Sequence, residues 1–317
     1  MPYTRRNFIV RSGMALSSAA IDLKSTPSFI PRDKTSNRLV LLGTQGGPFV
    51  RSYIPGPPAS LIEYNTIPYI IDTGYGTTFK LIDAKIRLAS LRFIFITHHH
   101  SDHNLDLGPL LYNAWIAGLS QTVNVFAPAG LNSLLSSWWE SNRYDIETRI
   151  SNEGRPDIRK LVIANEFTEG SLYSDADVKV EAMRNIHPPV TESYAFKFTI
   201  AKKIVVFSGD TAYCPGLAAF ASNADYLVHE VMYGPGIDEM VRRRPNASKL
   251  KESILSHHTL AEDVGRIASA AKVKSLILNH FVPSDDTTIT EQVWKDAVRR
   301  TFDGNIVVGK DLMEFPL

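Results

Sequence analysis

The tract His98-His99-His100-Ser101-Asp102-His103, opened by Thr97 and placed directly after the apolar run Phe93-Ile94-Phe95-Ile96, constrains this chain more than any other feature. Four imidazoles and one carboxylate fall within six positions. In a continuing strand, six such residues would point alternately to opposite faces. The apolar run therefore reads as a buried strand, and the tract as a loop from which the side chains can converge on one point. Imidazole with carboxylate is a ligand set suited to zinc and also accepted by iron or manganese.

Any further ligands must also be His or carboxylate, because the 317 residues include a single cysteine, Cys214. That excludes an intramolecular disulfide framework and a Cys-rich zinc ribbon. Thirty-four Lys and Arg stand against 33 Asp and Glu, with no strongly basic stripe, so no nucleic-acid partner is expected. With 44% hydrophobic residues and scattered Gly and Pro, the chain is long enough to bury a full core.

The N-terminus carries Thr4-Arg5-Arg6-Asn7-Phe8-Ile9, then a weakly apolar run to Ile21 that includes the small residues Ser18-Ala19-Ala20. This pattern reads as an export signal, and its arginine pair resembles a twin-arginine signal. The run falls short of the roughly 20 apolar residues of a membrane helix, so no stable membrane insertion is expected once the signal is removed. Residues 1–37 are expected to be signal and linker, with the mature protein periplasmic or secreted. Residues 38–317 form the expected functional domain.

Within that domain the chain uses one pattern twice. Leu61 to Tyr64, a turn at Asn65-Thr66 and Pro68 to Ile71 read as a hairpin ending in Asp72-Thr73-Gly74. Tyr194 to Phe198, a turn near Ala201-Lys202 and Ile204 to Phe207 repeat it, ending in Gly209-Asp210-Thr211. Two sheet-bearing halves follow. Further short apolar runs at Arg92–Ile96, Val123–Phe126, Tyr226–Val228 and Ser275–Leu278 read as buried strands. Helical spacing marks Leu105–Gly118, Leu131–Tyr144, Leu217–Ser222, Ala261–Ala271 and Glu291–Thr301. Alternating strands and helices predict an α/β protein whose sheets are covered by helices. Trp138–Leu161, with Glu153-Gly154-Arg155-Pro156, reads as a less regular insertion over the site.

His98-x-His100-x-Asp102-His103 resembles the signature of the metallo-β-lactamase fold superfamily, with matching elements from about Leu39 to the C-terminus. The resemblance implies a four-layer αββα sandwich. It also implies that Asp72 supports the His loop, that His187 completes a first metal site with His98 and His100, and that His280 completes a second with Asp102 and His103. Asp210 would bridge the two. Two zinc ions, or iron or manganese, are the implied cofactors. A pair of metals roughly 3.5–4 Å apart can share a hydroxide as nucleophile, which is chemistry for hydrolysis.

Asp210 argues against lactam cleavage as the main activity, since lactam-cleaving members generally lack it. Val228-His229-Glu230-Val231 and His257-His258-Thr259 resemble elements of Z-type tRNA endonucleases and their phosphodiesterase and arylsulfatase-like relatives. There the matching Glu230 orients His258, which unlike His257 has that group's separation from His280, and His258 protonates the leaving oxygen, a suitable task for an imidazole near pH 7. With Asp102, these two are the expected catalytic residues. The expected function is binuclear hydrolysis of a small anionic ester, phosphodiester or arylsulfate. The alternatives are a broad β-lactamase or lactonase, a di-iron redox protein and a non-catalytic metal binder. Many relatives form homodimers, and the resemblance implies the same option here. Trp138, Trp139 and Tyr144 are candidates for an aromatic pocket wall, although at helical spacing such residues are more often core; Arg242-Arg243-Arg244 is a candidate for steering an anion, although a charge run is usually a solvated face. Tyr213 and Cys214 are candidates to border the site, Cys214 as a packing residue.

Overall fold

The computed structural model describes residues 37–50 and 54–317, so the expected export signal and linker lies outside the described residues apart from Asn37. The first half contributes β1 (Arg38–Gly43), β2 (Ala59–Tyr64), β3 (Ile67–Ile71), α1 (Thr77–Asp83), β4 (Phe93–Phe95), α2 (Ser101–Asn104), α3 (Leu107–Ile116), β5 (Val123–Ala127), α4 (Leu131–Ser141), α5 (Arg143–Glu153), α6 (Ile158–Leu161) and β6 (Val162–Glu166). The second contributes β7 (Gly170–Ser174), β8 (Val178–Arg184), β9 (Tyr194–Ile200), β10 (Lys203–Phe207), α7 (Gly216–Phe220), β11 (Tyr226–Met232), α8 (Gly234–Arg242), α9 (Leu250–His257), α10 (Ala261–Ala271), β12 (Ser275–Val282), α11 (Glu291–Arg299), β13 (Asn305–Val308) and β14 (Glu314–Pro316).

The repeated pattern is a repeated topology. One sheet runs β14-β1-β2-β3-β4-β5-β6 and the other β13-β12-β11-β10-β9-β8-β7. In the first, pairing is antiparallel from β14 through β3 and parallel from β3 through β6. In the second, it is antiparallel from β7 through β10 and parallel from β10 through β13. The hairpins β2–β3 and β9–β10 occupy equivalent places, and each delivers its aspartate just beyond the second strand. Asn65 and Thr66 both adopt positive φ in the first turn, the geometry that lets a two-residue loop follow the twist of its strands.

Strand alternation sorts the core into layers. Leu39 and Leu41 face the other sheet, packing with Phe95, Phe196, Phe198 and Ile277, while Val40 and Leu42 face the helices of the first half. A third cluster joins α7, α10 and α11 to the outer face of the second sheet. Helices outside two stacked sheets give the expected four layers.

The segment Trp138–Leu161 differs from expectation. It is not an irregular insertion over the site but the end of α4, then α5 and α6, seated on the outer face of the first sheet. Ile146 and Ile158 are fully buried there, and Trp138 packs so tightly on α3 that any side chain at Gly108 would overlap its ring. The single helix expected over Leu131–Tyr144 breaks at Asn142, and Gly154 ends α5 in the left-handed conformation that glycine favours. Trp138 and Trp139 are therefore partly buried packing against the core, Tyr144 is 88% exposed, and none of the three lines the metal-centre cleft.

Candidate metal centre

β4 ends at Phe95, and the chain bends at Thr97 and reaches His100, itself extended, before turning into α2. His98 and His100 come from this loop, while Asp102 and His103 come from the first turn of the helix. A change of backbone geometry inside six residues thus converges four side chains, leaving His99 outside the cluster on Pro128 O and Asn104. His187 follows β8, Asp210 follows β10, and His280 lies within β12, which runs on to Val282 rather than stopping at Leu278. The register between β11 and β12 slips at this point, and His280 takes φ 44°, a bulge that re-aims its ring into the site.

Two groups result. His98 Nε2 stands 3.0 Å from His100 Nδ1, which stands 3.2 Å from His187 Nε2. Asp210 Oδ2 lies 3.3 Å from His103 Nε2 and 3.1 Å from His280 Nε2, with Asp102 Oδ2 at 3.6 and 3.4 Å from the same nitrogens. Asp210 Oδ2 is also 4.0 Å from His98 Nε2, so it faces both groups. Zinc bonds of about 2.0–2.1 Å in tetrahedral geometry imply edges of about 3.3 Å between ligand atoms, and these separations scatter around that value. The buried His103 Nε2 makes no hydrogen bond among the described residues, as expected of a nitrogen reserved for a cation. The residues present fit a pair of ions.

The surroundings set the rings. Asp72, at φ 58°, accepts from Thr97 N at 2.8 Å and faces His103 Nδ1 at 2.8 Å, which turns His103 Nε2 toward Asp210. His187 Nδ1 donates to His257 O at 3.1 Å, leaving Nε2 for its cluster. Such outer contacts fix tautomer and orientation together. Burial holds His98, His100 and His187 below the usual imidazole range, His187 at about 4, so these rings keep free lone pairs at neutral pH. At Asp102 and Asp210 burial pushes the carboxyls up, but the neighbouring His103 and His280 hold both below their ordinary values. His103 is held well above its own, against burial, by Asp210, Asp72 and Asp102. Replacing Asp72 with Ala is expected to weaken zinc binding by about 10–100-fold, because His103 loses the group that orients it. Zinc titration against a competing chelator measures this, and the parent affinity in Asp72→Ala would refute the positioning role.

The Glu230 carboxylate is buried beside this centre. Its Oε1 accepts from Thr211 N at 3.1 Å and Thr259 N at 3.0 Å, and His258 Nδ1 stands 3.2 Å away. Burial opposes the charged imidazole of His258, but Glu230 outweighs it and raises the group. The expected pair is in contact.

A cleft of about 800 Å³ opens over the centre. His100, Asp102, His187, Asp210, His258 and His280 form its floor. α8, α9 and their connection form a wall that sequence periodicity did not mark, carrying Met240, Arg243, Arg244 and Ile254 into the cleft. Asp285 pairs with Arg243 at 3.4 Å and Arg244 at 3.2 Å, and the Arg244 guanidinium lies 5.9 Å from the centre of the Phe49 ring. Arg242 instead pairs with Glu239 and does not line the cleft. His257 lines the cleft and packs between His187 and His258, a place its spacing from His280 gave no reason to expect. Cys214 is buried in the outer cluster of the second half, and the half-exposed Tyr213 does not line the cleft.

Relatives share this architecture. "Ribonuclease Z" of Mycolicibacterium paratuberculosis (strain ATCC BAA-968 / K-10) is 28% identical over 281 residues, covering 86% of this chain and 96% of that protein. The metallo-β-lactamase fold protein YhfI from Bacillus subtilis superposes with a TM-score of 0.66 at 18% identity, over 89% of this chain and 99% of its own. The short form of human tRNase Z does so with 0.61 at 19% identity, over 88% and 98%. The chain is a metal-dependent hydrolase of the metallo-β-lactamase fold, similar to ribonuclease Z. Within that class, the family described as "Anti-Pycsar protein Apyc1" matches residues 38–240, and the chain belongs to it. The name ribonuclease gives those relatives an RNA substrate, which runs against the nucleic-acid exclusion drawn from charge balance.

Proposed function

We propose that this chain hydrolyses small anionic esters of phosphodiester type, using two divalent ions held by His98, His100 and His187 and by Asp102, His103 and His280, with Asp210 shared. The donor set suits zinc and also fits iron or manganese. The observation that carries the reading is the continuity of the two clusters through Asp210 Oδ2, with the Glu230–His258 pair at their side. When bound, the ions supply Lewis acidity and a water acidified into the neutral range.

The chain's own groups supply position and protons. Glu230 is fixed by two backbone amides, and it fixes His258 in turn, so the imidazole holds its proton at a defined point on the cleft floor. A leaving oxygen placed there takes that proton as its bond to phosphorus breaks. Arg243 and Arg244 offer positive charge to the ester, and Asp285 holds both in place. An arylsulfate presents a similar anionic group, but the relatives' RNA-cleaving name favours phosphorus. The cleft volume is that of a small-molecule site, which favours a substrate of one ester unit over a long polynucleotide lying mostly outside it.

The test is metal analysis of the purified protein beside hydrolysis of bis-nitrophenyl phosphate, nitrophenyl phosphate, nitrophenyl sulfate, nitrophenyl acetate, a lactam and a short RNA. Two zinc ions per chain with preferred turnover of the diester is the expected result. Preferred turnover of acetate or lactam, or full metal with no turnover, would overturn the reading, and preference for RNA would replace the small ester with a polynucleotide. The family description adds a biological reading, that the chain counteracts Pycsar. Its test is co-expression with Pycsar, in which the parent chain suppresses the Pycsar effect and an Asp210→Asn variant does not.

A further inference from the structure

A third group of potential ligands, Glu230, His258 and His280, adjoins the two clusters, with one ligand atom of each within 4.8 Å of the others. Glu230 is 2% exposed, and its two oxygens are used unequally. Oε1 faces three nitrogens, those of Thr211, Thr259 and His258 Nδ1, whereas the buried Oε2 makes no hydrogen bond among the described residues. A buried carboxylate oxygen without a donor is costly, and a cation removes that cost. His258 lines the open cleft, so an ion can arrive from solvent.

We propose that Glu230 and His258, with His280 at the edge of the group, form a third and weaker seat for a divalent cation, and that filling it inhibits the enzyme. The weakness follows from ligand count. The His280 nitrogen that completes the Asp102–His103–Asp210 group lies 3.4 Å from Asp102 Oδ2 and 3.1 Å from Asp210 Oδ2, so it is committed there while that site is filled. An ion on the third seat then keeps two protein ligands, against three or four at the others. The inhibition follows from identity, because the seat uses the imidazole that hands a proton to the leaving oxygen. The binding stands by itself; the inhibition rests on the proposed reaction. A water is the rival occupant, since a cavity of about 40 Å³ beneath the centre is lined by Glu230 and by Asn279, whose buried Oδ1 is also without a partner.

The experiment is equilibrium dialysis of the full chain against zinc alone over a wide range of free concentration, with zinc counted per chain and hydrolysis of a diester with an alkyl leaving group followed in parallel. The expected result is two tightly held ions, then a third that loads at higher free zinc over the range in which activity falls. His258→Ala and Glu230→Gln are expected to keep two ions and lose the third. A parent protein that saturates at two, as water in the cavity would require, or a third ion that persists in both variants, overturns the seat. If Glu230→Gln fails to fold, His258→Ala, altered at the cleft wall, still decides. Zinc counts do not depend on turnover, so failure to hydrolyse any ester would sink the proposed function and leave the seat to be judged by stoichiometry.

Discussion

Asp210→Asn is expected to lower zinc content from two ions toward one and to cut diester hydrolysis by on the order of 10³-fold or more, since residues that act as one unit lose most of its effect when one is removed. Asp210 Oδ2 lies within 4.0 Å of the Nε2 nitrogens of His98, His103 and His280, and so faces both clusters. An amide keeps the shape but brings no charge, and one of its two ends would direct N–H groups at rings that must present lone pairs to metal. His103 and His280 would then face an ion with only Asp102 to neutralise it. The fold should survive, because Asp210 belongs to none of the hydrophobic clusters that join sheets to helices. Metal analysis, circular dichroism and turnover on a single preparation test this together. A variant with two zinc ions and parent activity would remove Asp210 from the shared position, and a variant that fails to fold would show that the carboxylate is structural.

The legible parts of this chain were those written in local pattern. The His tract declared a strand end because a run of apolar residues gave way at once to ligands. The hairpins declared a repeat because turn residues separated two short β-prone runs twice, each followed by aspartate. That repeat proved deeper than the sequence allowed one to see: both sheets pass from antiparallel to parallel pairing at the strand that precedes the aspartate. Pairing direction depends on long-range contacts, which no window of sequence reports.

What stayed open or unmarked did so for the same reason. Trp138, Trp139 and Tyr144 are aromatic residues near a polar break, and the sequence alone did not say which face of the sheet would receive them. The structure spends two of them as packing on the outer helices. The wall formed by α8 and α9 was not read from the sequence, although α8 is amphipathic; its helices pack Ile237, Met240 and Ile254 with Met232 and Val282, and Met240 and Ile254 also reach the cleft. His257 was set aside on spacing, yet its carbonyl orients His187, and a backbone contact of this kind leaves no mark on residue type. Arg243 and Arg244 reach the cleft while Arg242 does not, a division that follows from helix geometry at the end of α8 rather than from the run of charge.

On the proposed two-ion reaction, His258→Ala is expected to leave the metal content unchanged and to slow hydrolysis according to the leaving group. For diesters with an alkyl leaving group, kcat should fall by about 10²–10⁴-fold, the usual contribution of a positioned general acid. For nitrophenyl esters, whose leaving oxygen needs no proton, the fall should be small. This contrast separates proton donation from mere packing, since a distorted site would slow both substrates alike. Glu230→Gln should show the same dependence with an added signature in pH. Glu230 holds the His258 imidazole above its ordinary value against the effect of burial, so removing the charge lets burial act and lowers it. An acid works only while protonated; the alkaline limb of kcat must therefore move to lower pH in Glu230→Gln, measured on the alkyl diester. Equal rates for poor leaving groups in the parent and in His258→Ala would show that the proton comes from elsewhere. An alkaline limb unmoved in Glu230→Gln would show that the carboxylate holds the imidazole in place without tuning it.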